Sequence, residues 1–412
     1  MLGIDRMWKV GVSLLVVVLS CCKAKSDQSQ CSRRSEDGNC LDEAQNRVID
    51  RYSKVGRWEK YLTKISEAVS NYEPCSSDKC GSGCYASVIE DDLSVWKDGI
   101  SKETFDEAAA KGVHYQIIKH RLYRQNDCMF QFRCSGIEHF IVQLLDRLPD
   151  MELIINVQDY PKVPVWSKPL PVMSFSKTPR ERDIMYPAWT FWEGGPAVWP
   201  IYPTGLGRWD VQRDLIMKQA VVWPWEKKES KGFFIGSRTS ADRDPLILLS
   251  RQQPDLVNAS YTKNQAWKSD ADTLGAPPSK EVKLEDHCNF KYLFNFRGVA
   301  ASFRFKHLFL CKSLVLHVGD EWIEFFYPEL KPWVHYIPIS VGLGEARELL
   351  EFAHENDEVV KQIAERGYDF VVNHLTLKEI SCYWKILLKK IARLQQWKPT
   401  RNPAFKEIAL KD

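Results

Sequence analysis

Apolar residues recur at intervals of three and four from Ile49 through Tyr52, Val55, Trp58, Tyr61, Leu62 and Ile65 to Val69, which predicts one long amphipathic helix used for core packing. Residues 139–148 predict a second helix, ended by Pro149, and the apolar run 153–157 a short buried strand with Asp159 two residues beyond it. The periodicity then lapses. From Pro161 to Trp225 the chain is rich in Pro and Gly and carries seven of the 15 Trp (166, 189, 192, 199, 209, 223 and 225), a composition that predicts no long helix. After it, 233–235 reads as a strand, Gly236-Ser237-Arg238 as a turn, and Asp244-Pro245 as cap and first residue of a helix holding Leu246 to Leu249. A strand at 292–296, a turn at Gly298, a helix at 302–310 and a strand at 314–318 continue a βαβ series. Helices from Glu345, over 357–375 and over 378–394 close the chain. The pattern predicts two α/β domains, the second built around parallel strands. A cleft is expected at strand carboxyl ends, near loops 236–244, 297–304 and the residues after 157.

The length of 412 residues and 44% hydrophobic content suit two or three packed domains. Lys and Arg number 57 against 54 Asp and Glu, with no block of one sign, which argues against a nucleic-acid footprint and for local recognition. Arg6 and Lys9 precede an apolar stretch at 10–19 and small residues to Cys22, the layout of a secretory signal peptide over 1–22. That stretch is well short of the ~20 residues of a membrane span. A soluble protein in an oxidising lumen is expected. Ten of the 12 Cys follow it: Cys31, Cys40, Cys75, Cys80, Cys84, Cys128, Cys134, Cys288, Cys311 and Cys382, an even set that suits disulfides better than the loosely zinc-like 75–84 cluster. Cys128 and Cys134 can pin a short loop, and a bridge from Cys382 to the 75–84 cluster would staple the chain ends. Asn258-Ala-Ser260 is a glycosylation sequon, which agrees with secretion. The chain closes on Lys411-Asp412 without the Glu-Leu that would complete a lumenal retention signal.

Neither a Gly-x-Gly-x-x-Gly nor a P-loop motif occurs. Segment 295–306 instead places Gly298, Ala300, Ala301 and Ser302 at an expected helix start, bracketed by Arg297, Arg304 and Lys306. Small residues admit an anion to the backbone, and a guanidinium can clasp phosphate. Ser237, Arg238 and Arg243 repeat the theme after the preceding strand, so two turns facing one cleft would hold a diphosphate without a cation. The competing reading takes Asp242-x-Asp244 and Asp270-x-Asp272 as metal-holding pairs; Asp244 is more simply a cap. Asp159, on a turn beside the expected cleft, is a candidate catalytic carboxylate or plain turn chemistry.

Taken together, Ile155-Asn-Val-Gln-Asp-Tyr-Pro161, Tyr186-Pro-Ala-Trp-Thr-Phe-Trp-Glu-Gly-Gly-Pro196, Trp199-Pro-Ile-Tyr-Pro-Thr-Gly-Leu-Gly-Arg-Trp209, Gly236-Ser-Arg-Thr-Ser240 and Tyr292-Leu-Phe-Asn-Phe-Arg-Gly-Val-Ala-Ala-Ser-Phe-Arg304 resemble the lumenal protein O-glucosyltransferases, relatives of fungal capsule-associated glycosyltransferases. The resemblance runs from about residue 45 to 395. It implies an α/β fold of GT-B type: an acceptor-side Rossmann-like domain over 23–205, a UDP-sugar-binding one over 206–375, and helices within 376–412 crossing back to the first. It implies metal-free, inverting transfer of glucose, and some xylose, from UDP-sugar to serine in Cys-x-Ser-x-Pro/Ala-Cys of folded EGF-like repeats such as those of Notch, by a monomer in the endoplasmic reticulum lumen. The family's general base falls on Asp159, and its donor-binding positions on Ser237, Arg243, Val299, Ala300, Ala301, Ser302, Phe303 and Arg304. Its acceptor contacts fall on Met129, Phe130, Gln131, Phe132 and Arg133 and on Val198, Trp199, Pro200, Ile201, Tyr202, Pro203 and Thr204. Its bridges would correspond to Cys75–Cys84, Cys80–Cys382, Cys128–Cys134 and Cys288–Cys311, leaving Cys31 and Cys40 to pair locally. The rival expectation is a non-catalytic lectin or folding factor that grips cysteine-rich repeats through aromatic faces; a base kept together with a phosphate clasp disfavours it.

Overall fold

The computed structural model describes residues 43–75, 80, 83–195, 198, 200–203, 205–264 and 266–409, with side chains from residue 56 onward. The expected signal peptide, Cys31, Cys40, Trp199 and Thr204 lie outside the described residues. The chain divides into two compact units, residues 1–60 and 61–412. Within the first, residues 43–60 are helical, as part of α1 (Glu43–Ser70). All that follows concerns the second.

Its strands are β1 (Val113–Ile118), β2 (Arg121–Arg124), β3 (Met151–Ile155), β4 (Val172–Ser174), β5 (Ser176–Lys177), β6 (Ile184–Met185), β7 (Glu229–Ser237), β8 (Val257–Thr262), β9 (Phe290–Phe296), β10 (Leu314–Val318), β11 (Ile323–Glu324), β12 (Ile337–Ile339) and β13 (Lys406–Ile408). Its helices are α2 (Ala86–Leu93), α3 (Lys102–Ala108), α4 (Gln131–Val142), α5 (Trp209–Val222), α6 (Asp244–Gln252), α7 (Phe305–Phe309), α8 (Ala346–Glu355), α9 (Asp357–His374) and α10 (Leu377–Leu394). One sheet runs β12-β10-β9-β7-β8, with every pairing parallel. β9 and β10 are buried along their whole length, which is why they read as unbroken apolar runs. The other sheet runs β13-β2-β1-β3-β4-β6, antiparallel through β3 and parallel from β3 to β6. A two-stranded ribbon, β5 with β11, joins a segment beside β4 to one following β10.

This is the expected mixed α/β layout of two sheets, and α10 does cross back to the sheet that holds β6. Tyr383 donates to the Met185 carbonyl at 3.0 Å, and Trp384 packs 5.4 Å from Tyr186. Among the described residues four disulfides are formed: Cys75–Cys84, Cys80–Cys382, Cys128–Cys134 and Cys288–Cys311. The second closes a separation of 302 residues, removing conformational freedom from the unfolded chain.

Four local expectations are corrected. The second predicted helix begins at Gln131 and ends at Val142, because the Phe130 carbonyl accepts from the amides of Arg133 and Cys134 and starts the turn inside the disulfide loop. The Pro- and Trp-rich stretch does hold a sustained helix, α5, since no Pro or Gly falls between Gly207 and Pro224. Asp244 is not a cap: its carboxylate takes Arg238 and the Tyr261 hydroxyl instead. The helix expected from 302 is only α7, five residues long, so Ser302 stands before it in irregular backbone.

Candidate active site

Asp159 sits on a turn that buried groups hold in shape. Fully buried Asn156 donates to the Tyr160 carbonyl at 2.8 Å and to Ser174 Oγ at 3.0 Å, and its Oδ1 accepts from the Gln158 amide at 2.9 Å. Asp183 receives the amides of Lys162 and Val163 and the Ser174 hydroxyl; burial raises its pKa, and those bonds oppose the rise. The Asp159 carboxylate therefore leaves a rigid strand end. It meets the guanidinium of Arg133, Nη2 to Oδ1 at 3.1 Å.

The structure brings the expected acceptor loop and Asp159 together. Met129 (73% exposed) and Phe132 (59%) face solvent, while Arg133 reaches inward from the first turn of α4. The described part of the second acceptor segment is a tight turn, with Val198 and Tyr202 exchanging backbone bonds and Pro200 and Pro203 exposed. Ile201 is partly buried. Tyr202 points towards the other sheet's loops, donating to Glu285 at 3.1 Å and accepting from the Leu284 amide at 2.9 Å.

The expected donor residues gather at the carboxyl edge of the parallel sheet. Arg243 is buried and donates to the carbonyls of Ser237 and Arg297; Arg304 donates to that of Ile235 at 2.7 Å. Among the described residues no carboxylate lies within ion-pair distance of either. Burial, then mutual repulsion with Arg304, lowers the Arg243 pKa to about 9, and burial lowers that of Arg304 to about 10. Gly236 makes room for this arrangement: a Cβ there would lie 2.9 Å from Arg304 Nη2. Arg297 differs, pairing with Asp242 at 2.9 Å. Ala300, Ala301 and Ser302 are buried, whereas Val299 is 41% exposed and Phe303 packs at 5.7 Å edge-on against Trp189.

Trp189 links the two sets of residues. Its ring is fully buried, with Arg133 stacked 4.5 Å from it and Phe303 against it. Lys306, also fully buried, reaches from the donor side to Thr190 Oγ1 at 3.3 Å.

A cavity of about 170 Å³ opens at the ends of β9 and β10, lined by Arg297, Ser302, His317, Trp322, Tyr327 and Val341 among others. Trp322 packs 6.1 Å from Tyr160, the residue after Asp159. His317 is kept uncharged by burial, its pKa lowered to about 4. Sequence reasoning missed His317, Trp322 and Tyr327, although the strand 314–318 was predicted: the loop beyond its carboxyl end, Gly319-Asp-Glu-Trp322, held the signal. Three of the four carboxylates named for a metal are otherwise engaged, Asp242 with Arg297, Asp244 with Arg238, and Asp272 with the amides of Lys268 and Ser269. Asn258 is exposed on β8, at the sheet edge. Among the described residues no helix is long and apolar enough to cross a membrane.

The profile of glycosyl transferase family 90 matches residues 75–411. The chain is 59% identical over 371 residues to protein O-glucosyltransferase 1 of Homo sapiens, covering 89% of this chain and 93% of that protein. It is likewise 59% identical over 367 residues to the Rattus norvegicus protein of that name, covering 88% and 92%. It is 52% identical over 373 residues to O-glucosyltransferase rumi of Drosophila melanogaster, covering 88% and 90%.

Proposed function

This chain belongs to glycosyl transferase family 90, and we propose from that premise that it transfers glucose from UDP-glucose to a serine hydroxyl of folded EGF-like repeats, within Cys-x-Ser-x-Pro/Ala-Cys. The observation that carries the donor half is the pair Arg243 and Arg304, two guanidiniums held by backbone carbonyls with no carboxylate of the described residues in ion-pair contact. Burying such charges unpaired is costly, and a diphosphate supplies what they lack. Ser237, Ala300, Ala301 and Ser302 form the small-residue wall that lets the phosphates approach, and Val299 and Phe303 complete the donor site. With α7 so short, the arginines rather than a helix dipole carry the attraction.

Asp159 acts as general base. Its carboxylate takes the serine proton while the serine oxygen bonds to C1 of glucose; the bond from C1 to the diphosphate oxygen breaks and UDP leaves with the electron pair, inverting the anomeric centre. Arg243 and Arg304 stabilise the charge that grows on the leaving diphosphate, commonly the largest effect in such reactions. The exposed Met129, Phe130, Gln131 and Phe132, with the 198–204 segment, receive the repeat. The reaction is metal-free, a reading supported by the engagement of Asp242 and Asp244 with arginines. The domains divide near 205/206, with 376–412 returning to the first; the protein works as a monomer in the endoplasmic reticulum lumen and carries a glycan on Asn258. UDP-xylose is a secondary donor.

Incubating the purified protein with UDP-glucose and one folded EGF-like repeat should add a single hexose mass to the repeat, with or without chelator. No mass gain would refute the transfer. Loss with chelator and restoration by manganese would refute the metal-free mechanism alone.

A further inference from the structure

We infer that Arg133 is a positioning residue that holds the Asp159 carboxylate in place, and not the acceptor contact that its place in the 129–133 loop suggests. The inference rests on reading Asp159 as the base. The guanidinium of Arg133 is planar, with two faces for stacking and five N–H groups around its edge. The rings of Phe130 and Trp189 lie against it, their centroids 4.2 and 4.5 Å from Cζ. On its edge, Nη1 donates to the Val157 carbonyl at 2.7 Å and Nη2 meets Asp159 Oδ1 at 3.1 Å.

The groups that fix the guanidinium are structural. Its helix turn is pinned by the Cys128–Cys134 disulfide, Val157 follows the end of β3, and Trp189 is fully buried among Phe175 and Phe303. A clamp anchored on the Val157 carbonyl and the buried Trp189 ring, with a further bond on a partly exposed carboxylate, determines where that carboxylate stands. Holding Oδ1 leaves Oδ2 to take the serine proton. The neighbouring Met129 and Phe132, far more exposed, are the surface that a protein substrate would touch. Misplacement of a reacting group by about 1 Å can cost on the order of 10²-fold in rate.

The test is a double-mutant cycle on transfer to one folded EGF-like repeat, with UDP affinity and thermal melting measured for every variant. Arg133→Gln should lower kcat roughly 10- to 100-fold while KM for the repeat and Kd for UDP stay near normal. Arg133→Lys keeps a charge and a stem between the two rings, so it should recover part of the rate and stands in if the Gln variant folds poorly. In an Asp159→Asn background, Arg133→Gln should add almost nothing, because the group it positions is already gone. Losses that multiply in the double variant, or a raised KM with kcat intact, would make Arg133 an acceptor contact and overturn the inference alone. Full transfer by Asp159→Asn by itself would overturn the base reading, and this inference with it.

Discussion

The two sides of the site treat charge in opposite ways. On the acceptor side the carboxylate of Asp159 is paired with Arg133, whose remaining contacts are rings and one backbone carbonyl. On the donor side Arg243 and Arg304 lie in the fold on backbone carbonyls and the Phe234 ring, with Arg304 close enough to lower the basicity of Arg243. A paired charge costs little and can serve as an instrument of position; unpaired buried charges store a demand for an anion. The difference teaches which side binds by electrostatics and which by shape.

Removing the acceptor-side carboxylate should have the largest effect. Asp159→Asn should cut transfer by roughly 10²–10⁴-fold, the usual worth of general-base help, while calorimetric UDP binding remains unchanged. A matching loss of UDP affinity would erase the distinction between the sides. Next comes Arg304→Ala, which should weaken UDP binding by roughly 10- to 100-fold, in line with charged hydrogen bonds worth about 1.5–3 kcal/mol. Titration with UDP checks it, and unchanged affinity would deny the donor side its anion.

The smallest effect concerns acid. Burial lowers His287 to about 3 and His317 to about 4, both in the donor half, against 6.5 for a free histidine. Between those values the unfolded chain binds protons that the folded one refuses, so their stabilisation is complete above pH 6.5 and drains away as pH falls towards 4. On the acceptor side Glu152 is lowered to about 2: burial raises it, but hydrogen bonds from His114, Gln116 and Trp397 outweigh that. Its contribution is present above its usual value of 4.5 and is lost only as pH falls from there towards 2. Hydrogen exchange at pH 5 should thus show weakened protection in β9 and β10 with β1 and β3 unaffected. Equal weakening would break the contrast.

Legibility also differed between the halves. Three strands of the parallel sheet, β7, β9 and β10, were visible as apolar runs, β9 and β10 because they are buried on both faces, and the long helices α1, α9 and α10 followed from their periodicity, whereas β8 and β12 left no such mark. The antiparallel half was far less so. β1 and β2 carry buried polar residues such as Gln116 and Arg124, which break the pattern that marks a strand, and β13 is supplied from the chain's end. α4 was displaced in the reading because its first turn lies within a disulfide loop and it contains Gly136, whose missing Cβ lets it press on the Trp189 carbonyl.

By itself the sequence determined the class of elements, the oxidised cysteines and the residue types available to a phosphate and a hydroxyl, because these depend on composition and local spacing. It could name Asp159, Arg243 and Arg304, but not their partners. That Arg133 grips Asp159 across 26 residues, that Trp189 stands between the acceptor loop and Phe303, and that His317 and Trp322 line the cavity were decided only by the tertiary structure. The physical reason is that pairing, stacking and burial are relations between segments, and chain spacing carries no record of which segments the packing will bring within 3 or 4 Å.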